Sequence, residues 1–114
     1  MSRKVTSAKT KTTITKELLY VVPTSNTGFW QLLYVISTAG TETPKVYWYD
    51  KSKNTEYLIL AGKNLGAGDY LLFTDAIVVL QGGDEIRIEQ AGTSSVTYVI
   101  TIELIQEQTI QFHS

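Results

Sequence analysis

Residues 95–106 read S-V-T-Y-V-I-T-I-E-L-I-Q, and the apolar residues fall on alternate positions through almost the whole run. Side chains of an extended strand alternate between faces, so the pattern places Val96, Tyr98, Ile100, Ile102 and Leu104 on one face and Thr97, Thr101 and Glu103 on the other. An apolar face of that length needs a second layer to cover it. The run therefore commits the chain to a layered β-architecture with 95–106 as a spine.

The same two-residue period recurs. Residues 85–89 (E-I-R-I-E) turn Ile86 and Ile88 inward, and residues 45–50 (K-V-Y-W-Y-D) set Val46 and Trp48 against Tyr47 and Tyr49. Residues 55–61 oppose Tyr57 and Ile59 to Leu58 and Leu60, and the polar stretch 51–54 makes a hairpin with 45–50. A first strand is expected over 17–22, closed by Pro23, which cannot donate to a ladder. Residues 29–38 (F-W-Q-L-L-Y-V-I-S-T) are apolar on both alternating faces. That marks a central strand covered on both sides, or one whose outer face meets another chain; a short helix is the competing reading, and the aromatic and β-branched content favours the strand.

Between these runs one phrase occurs twice, L-G-A-G-D from Leu65 and L-Q-G-G-D from Leu80, each leading into a short apolar strand (69–73 and 85–89). Residues 77–80 form another short strand before the second copy. Gly68 and Gly83 can take the positive φ of a tight reversal, and Asp69 and Asp84 can hydrogen-bond the turn backbone. About eight short strands separated by turn residues, with no helical periodicity, specify an all-β, eight-stranded antiparallel β-sandwich. Jelly-roll and Ig-like Greek-key orders both remain open, because periodicity does not encode connectivity.

The termini read differently. Arg3, Lys4, Lys9, Lys11 and Lys16 fall in the first sixteen residues with no acid among them. Residues 1–13 lack any pattern that could bury a face and are read as a flexible basic arm, solvated or ordering against an acidic neighbour or a nucleic-acid backbone. Its removal is expected to leave stability nearly intact. The sandwich domain spans 14–106, and 107–114 form a tail that keeps strand rhythm at Ile110 and Phe112 and is expected to add to a neighbour's sheet, exchanged between subunits.

Chemistry-bearing residues are sparse. The chain has no cysteine, hence no disulfide, thiol nucleophile or thiolate metal site. Its one histidine, His113, leaves no histidine-based triad and no histidine-rich metal site. Asp50, Asp69, Asp75 and Asp84 each stand in or beside a turn, where Asp is expected anyway, and the two phrases have the wrong spacing for a nine-residue calcium repeat. No enzyme activity, catalytic residue, cofactor or metal is expected. The net charge of -1 gives no general attraction to nucleic acid or anionic membranes, and no apolar run reaches the roughly 18 residues of a membrane helix. The polar amino terminus lacks the apolar stretch of a secretory signal, so an intracellular product is expected. Outward apolar and tyrosine positions at Tyr47, Tyr49, Val99, Ile105, Ile110 and Phe112 are the candidate interface residues. Tyr47, Tyr49 or a displaced Trp48 would alternatively stack on sugars, as in a carbohydrate-binding or receptor-binding module.

The double phrase L-G-A-G-D-Y-L-L-F and L-Q-G-G-D-E-I-R-I, followed by the alternating strand ending T-I-E-L, resembles small β-sandwich virion proteins of tailed bacteriophages over roughly residues 17–104. The resemblance implies a non-enzymatic structural protein present in many copies as a neck, tail or head-decorating component. It would form a homo-oligomer, bind portal, tail or capsid proteins, and reside in the virion after assembly in the bacterial host cytoplasm. Gly68, Asp69, Gly83 and Asp84 match the shared phrase as fold determinants.

Overall fold

The alternating run forms strand β9 (Val96–Gln106), and its predicted inward residues Val96, Tyr98, Ile100, Ile102 and Leu104 are all buried. The computed structural model describes residues 2–61, 63–75 and 77–106. Preceding β9 in chain order are β1 (Ser2–Lys11), β2 (Glu17–Val21), β3 (Asn26–Ser37), β4 (Pro44–Asp50), β5 (Thr55–Leu60), β6 (Tyr70–Phe73), β7 (Val79–Gln81) and β8 (Glu85–Gln90). One turn of 3₁₀ helix, Lys51–Lys53, links β4 to β5.

The strands form two antiparallel sheets: a five-stranded one in the order β1-β9-β3-β6, with β7 also on β3, and a four-stranded one in the order β2-β8-β4-β5. β6 and β7 pair with successive stretches of β3 and so act as one interrupted edge strand. With that pair counted once, the eight strand positions follow the order of a jelly roll, crossing between the sheets at every step but the β4–β5 hairpin, which settles the connectivity left open by the sequence. The two inner faces enclose Trp30, Leu33 and Val35 from β3, Val46 from β4, Ile86 and Ile88 from β8, and the inward row of β9. A bulge in β3 pairs Trp30 with Ile102 and Leu32 with Thr101, leaving Gln31 unpaired. The extra residue keeps Trp30 and Leu33 buried while Phe29 and Leu32 stand on the outer face.

The segment expected as a flexible arm is instead β1, which pairs with β9 along all ten of its residues, from Ser2 opposite Ile105 to Lys11 opposite Val96. Backbone pairing needs no apolar pattern, and β1 lies beside a threonine-rich row of β9, where Thr6 meets Thr101 at 3.1 Å and Thr10 meets Thr97 at 2.8 Å. The expected boundary between residues 13 and 14 thus falls inside the β1–β2 corner, not at a domain edge. The tail 107–114, with Ile110, Phe112 and His113, lies outside the described residues.

That corner closes one side of the sandwich. The Lys11 ammonium is buried and spends its three donors on the Thr13 carbonyl (2.7 Å), Thr13 Oγ1 (2.8 Å) and Glu17 Oε2 (2.9 Å). Lys9 holds the other Glu17 oxygen at 2.8 Å, and Ser7 Oγ donates to the Leu19 carbonyl at 2.9 Å. Lys9 and Lys11 together hold the Glu17 carboxyl at about 2, well below its ordinary 4.5. The folded state therefore gains stability from ionised Glu17 that is fully present above about 4.5 and is lost as pH falls towards about 2. Chemical denaturation at stepwise lower pH should show this loss in the wild type and a shallower one in Glu17→Gln; equal slopes would contradict the assignment. At the same end of the molecule, buried Glu42 accepts from the backbone N–H groups of Gly92 (2.8 Å) and Ser94 (3.0 Å), fixing the β8–β9 loop. Beside it Gln90 bridges the Lys11 and Ser94 carbonyls and the Tyr98 hydroxyl.

The repeated phrase folds the same way twice. The Gly66 and Gln81 N–H groups donate to Asp69 Oδ2 and Asp84 Oδ2, each at 3.0 Å, and the Asp69 and Asp84 N–H groups return to the Gly66 and Gln81 carbonyls at 2.9 and 3.0 Å. Gly68 and Gly83 adopt φ of 84° and 91°. A side chain at Gly68 would meet nothing within 4 Å, whereas a Cβ at Gly83 would lie 2.7 Å from Lys51 Cδ. Gly83→Val should therefore lower unfolding free energy by about 2 kcal/mol and Gly68→Val by less, read as urea midpoints. Equal losses would show that the Lys51 contact is immaterial.

Candidate assembly interface

The two sheets present contrasting outer faces. On the four-stranded sheet the polar outward residues satisfy one another, while the apolar outward residues Leu18, Val21 and Leu58 stand exposed on its edge strands. Glu56 takes Lys16 at 2.6 Å and Arg87 at 2.9 Å, and Arg87 also reaches Glu85 at 2.9 Å. Tyr47 and Tyr49, both half-buried, are held in this network. The Tyr47 hydroxyl donates to Glu89 at 2.7 Å, and the Tyr49 hydroxyl donates to Asn54. Burial, and then the Glu89 carboxylate, push the Tyr47 hydroxyl up to about 12, so it stays a donor through the neutral range. Lys16 lies 4.1 Å from the centre of the Tyr47 ring and Arg87 4.0 Å from that of Tyr49. A sugar stacking on these rings would have to displace those cations. Trp48 is turned inward, stacked on Tyr57 at 5.0 Å, with its indole N–H on Asp84 at 3.1 Å.

The basic residues singled out near the amino terminus are largely engaged within the chain. Lys9 and Lys11 face Glu17, and Lys16 faces Glu56. Those intramolecular pairs leave less of the cluster for an anionic partner than the sequence suggested.

The outer face of the five-stranded sheet is divided. Its β1–β9 half carries Lys4, Thr6, Thr10, Thr97, Thr101 and Glu103, and Glu103 accepts from Gln31 at 2.9 Å. Its β3–β6–β7 half carries Phe29, Leu32, Tyr34 and Ile36 from β3, Tyr70 and Leu72 from β6, and Val79 from β7. Tyr34 and Tyr70 lie 5.7 Å apart between ring centres. Tyr70 is 58% exposed, Leu72 49% and Val79 48%, and no described element covers them. Val99 sits half-buried between Ala8 and Tyr34, on the boundary of the two halves, and Ile105 is exposed between Ser2 and Thr27.

The structure does not gather the six candidate interface residues into one site: Tyr47 and Tyr49 lie on one sheet, Val99 and Ile105 on the other, and Ile110 and Phe112 outside the described residues. The apolar half-face was missed as a unit. Its one signal was the run 29–38, apolar on both faces; that β6 would lie beside it and extend it was not written in either segment alone. Among the described residues no three His, Cys, Asp or Glu side chains group as a metal site.

No protein-family model matches the chain, and no curated protein matches it. A solved structure with some likeness is the cryo-EM structure of the giant freshwater prawn Macrobrachium rosenbergii extra small virus (XSV) VLP, at 12% identity over 94% of this chain and 81% of that one, with a TM-score of 0.32. An overlap this slight bears on neither the fold nor the role of this chain.

Proposed function

We propose that this chain is a non-enzymatic structural protein of a virion, acting by assembly with its own copies and with neighbouring virion proteins as a neck, tail or capsid-decoration component. The observation that carries the assembly reading is the apolar half-face of Phe29, Leu32, Tyr34, Ile36, Tyr70, Leu72 and Val79. Contiguous apolar surface of this kind on a soluble domain marks an interaction site, and tyrosine is enriched at the centre of such contacts. The contrast with the other sheet supports it, since ion pairs and cation–π contacts occupy the middle of that outer face and leave its exposed apolar residues, Leu18, Val21 and Leu58, on the two edge strands. The virion setting is supported by the two Leu-x-small-Gly-Asp phrases, which resemble those of phage structural proteins.

The test is a pair of charge insertions on the apolar half-face, Tyr34→Glu with Val79→Glu. The double variant should keep its far-ultraviolet circular dichroism and lose the solution mass of the assembled wild type. Retention of that mass would place the interface elsewhere and remove the reading's main support.

A further inference from the structure

Among the described residues four strand positions lie at sheet edges: β1 and the β6–β7 row in the five-stranded sheet, β2 and β5 in the four-stranded sheet. A free edge offers unpaired N–H and C=O groups to any passing strand, and folded proteins block this with charges, bulges or proline. β1 carries Arg3, Lys4 and Lys9. β2 has a register shift between Leu18 and Tyr20, and Pro23 lies just beyond its end. The β4–β5 ladder has a register shift opposite Val46 and Tyr47, and β5 carries Glu56. β6, Y-L-L-F, is protected only by its length of four residues: it has no charge, no proline and no register shift against β3.

Its free backbone groups can be assigned. The Ser37 N–H donates to the Asp69 carbonyl at 3.1 Å, which fixes the alternation: Asp69 directs its carbonyl, and Leu71 and Phe73 both their polar backbone atoms, towards β3, and Tyr70 and Leu72 direct theirs away from it. The side of the sandwich below this edge is also open. Leu33, Ile59, Phe73 and Ile77 line an apolar cleft of about 170 Å³ between β5 and the β6–β7 row, and Phe73 is 43% exposed. The opposite side, between β1 and β2, is stitched by Ser7, Lys9 and Lys11.

We infer that β6 is the strand through which two copies of this chain join, antiparallel about a two-fold axis centred on Leu71, making one continuous sheet across the pair. The inference rests on the assembly reading above and names the edge and register that reading leaves open. An uncharged edge strand of this kind is complementary to a second copy of itself, and the geometry selects the register. A two-fold normal to the sheet keeps outer face on outer face only if residues of like parity pair. Centring on Leu71 sets Tyr70 opposite Leu72 twice, so each outward-directed backbone group of β6 finds its complement. Centring on Leu72 would instead bring Asp69 opposite Asp75, a like-charge pair. The Leu71 register also places Leu71 against its symmetry mate in a non-hydrogen-bonded pair, joining the two apolar clefts beneath the sheet and extending both apolar half-faces into one surface.

Two variants test it in the full chain. Leu72→Pro removes an N–H that points away from β3, so the fold should keep its melting temperature while the solution mass halves. Leu71→Cys is informative because the chain has no cysteine of its own. Under oxidised glutathione it should give a disulfide-linked dimer, since Cα atoms facing each other across a non-hydrogen-bonded pair lie about 4.5 Å apart, within disulfide reach. Leu58→Cys on β5, treated alike, should remain monomeric on non-reducing gels. A multimer that Tyr34→Glu with Val79→Glu dissolves, but that survives Leu72→Pro and does not cross-link at position 71, would overturn the β6 edge and leave the outer-face reading standing. A wild type that is monomeric at every concentration would overturn both.

Discussion

A chain lacking residues 1–13 should lose at least about 4 kcal/mol of unfolding free energy, a large share of the roughly 5–15 kcal/mol available to a domain of this size. β1 contributes the full ladder against β9, the packing of Val5 on the core, and the buried Lys11 that anchors Thr13 and Glu17. Without it β9 becomes a bare edge, and the inward row of Tyr98, Ile100 and Ile102 loses its flank. Urea denaturation followed by tryptophan emission is a direct readout, because Trp30 and Trp48 both report on the interior. An unchanged midpoint would mean that β1 is not held as described.

The second large effect is expected at Asp84. Its buried carboxylate accepts from the Gln81 N–H at 3.0 Å, the Lys51 N–H at 3.1 Å and the Trp48 indole at 3.1 Å, while its carbonyl accepts from Val22 at 2.9 Å. One side chain thus ties the β7–β8 turn to the end of the β4–β5 hairpin. Asp84→Ala strips three donors of their partner at a site closed to water and should cost about 3–4 kcal/mol. Asp69, its counterpart in the first copy of the phrase, is exposed and, among the described residues, takes a single donor to its carboxylate, from Gly66 at 3.0 Å. Asp69→Ala should cost under about 1 kcal/mol. Equal losses in parallel urea titrations of the two variants would contradict the hub assigned to Asp84.

That contrast shows where the sequence stops being informative. The repeated phrase was visible because a Gly-Asp turn is local chemistry, and the backbone of both copies closes the same hydrogen bonds. The difference between the copies was not visible, because Trp48 and Lys51 come from a hairpin more than thirty residues earlier. β4, β8 and β9 were legible since one face of each packs inward and imposes a two-residue period. β5 was legible as the return of the hairpin, but its bulge at Ile59 places Tyr57 and Leu60 on the inner face and Leu58 outside, where strict alternation had grouped Leu58 with Leu60. β1 was not, because an edge strand held by its backbone and by threonine pairs needs no apolar row. The jelly-roll order rests on which strands pair within each sheet, and no single segment records that. The apolar half-face follows the same rule: β3 announced itself by being apolar on both faces, but Tyr70, Leu72 and Val79 join it only once β6 and β7 are laid along β3.

The central claim is that this sandwich works by assembly, and solution mass tests it most directly. Light scattering on the wild-type chain over a concentration series should give a mass above that of one chain, either a defined multimer or one that grows with concentration. A mass fixed at 12.7 kDa throughout the series would contradict the account.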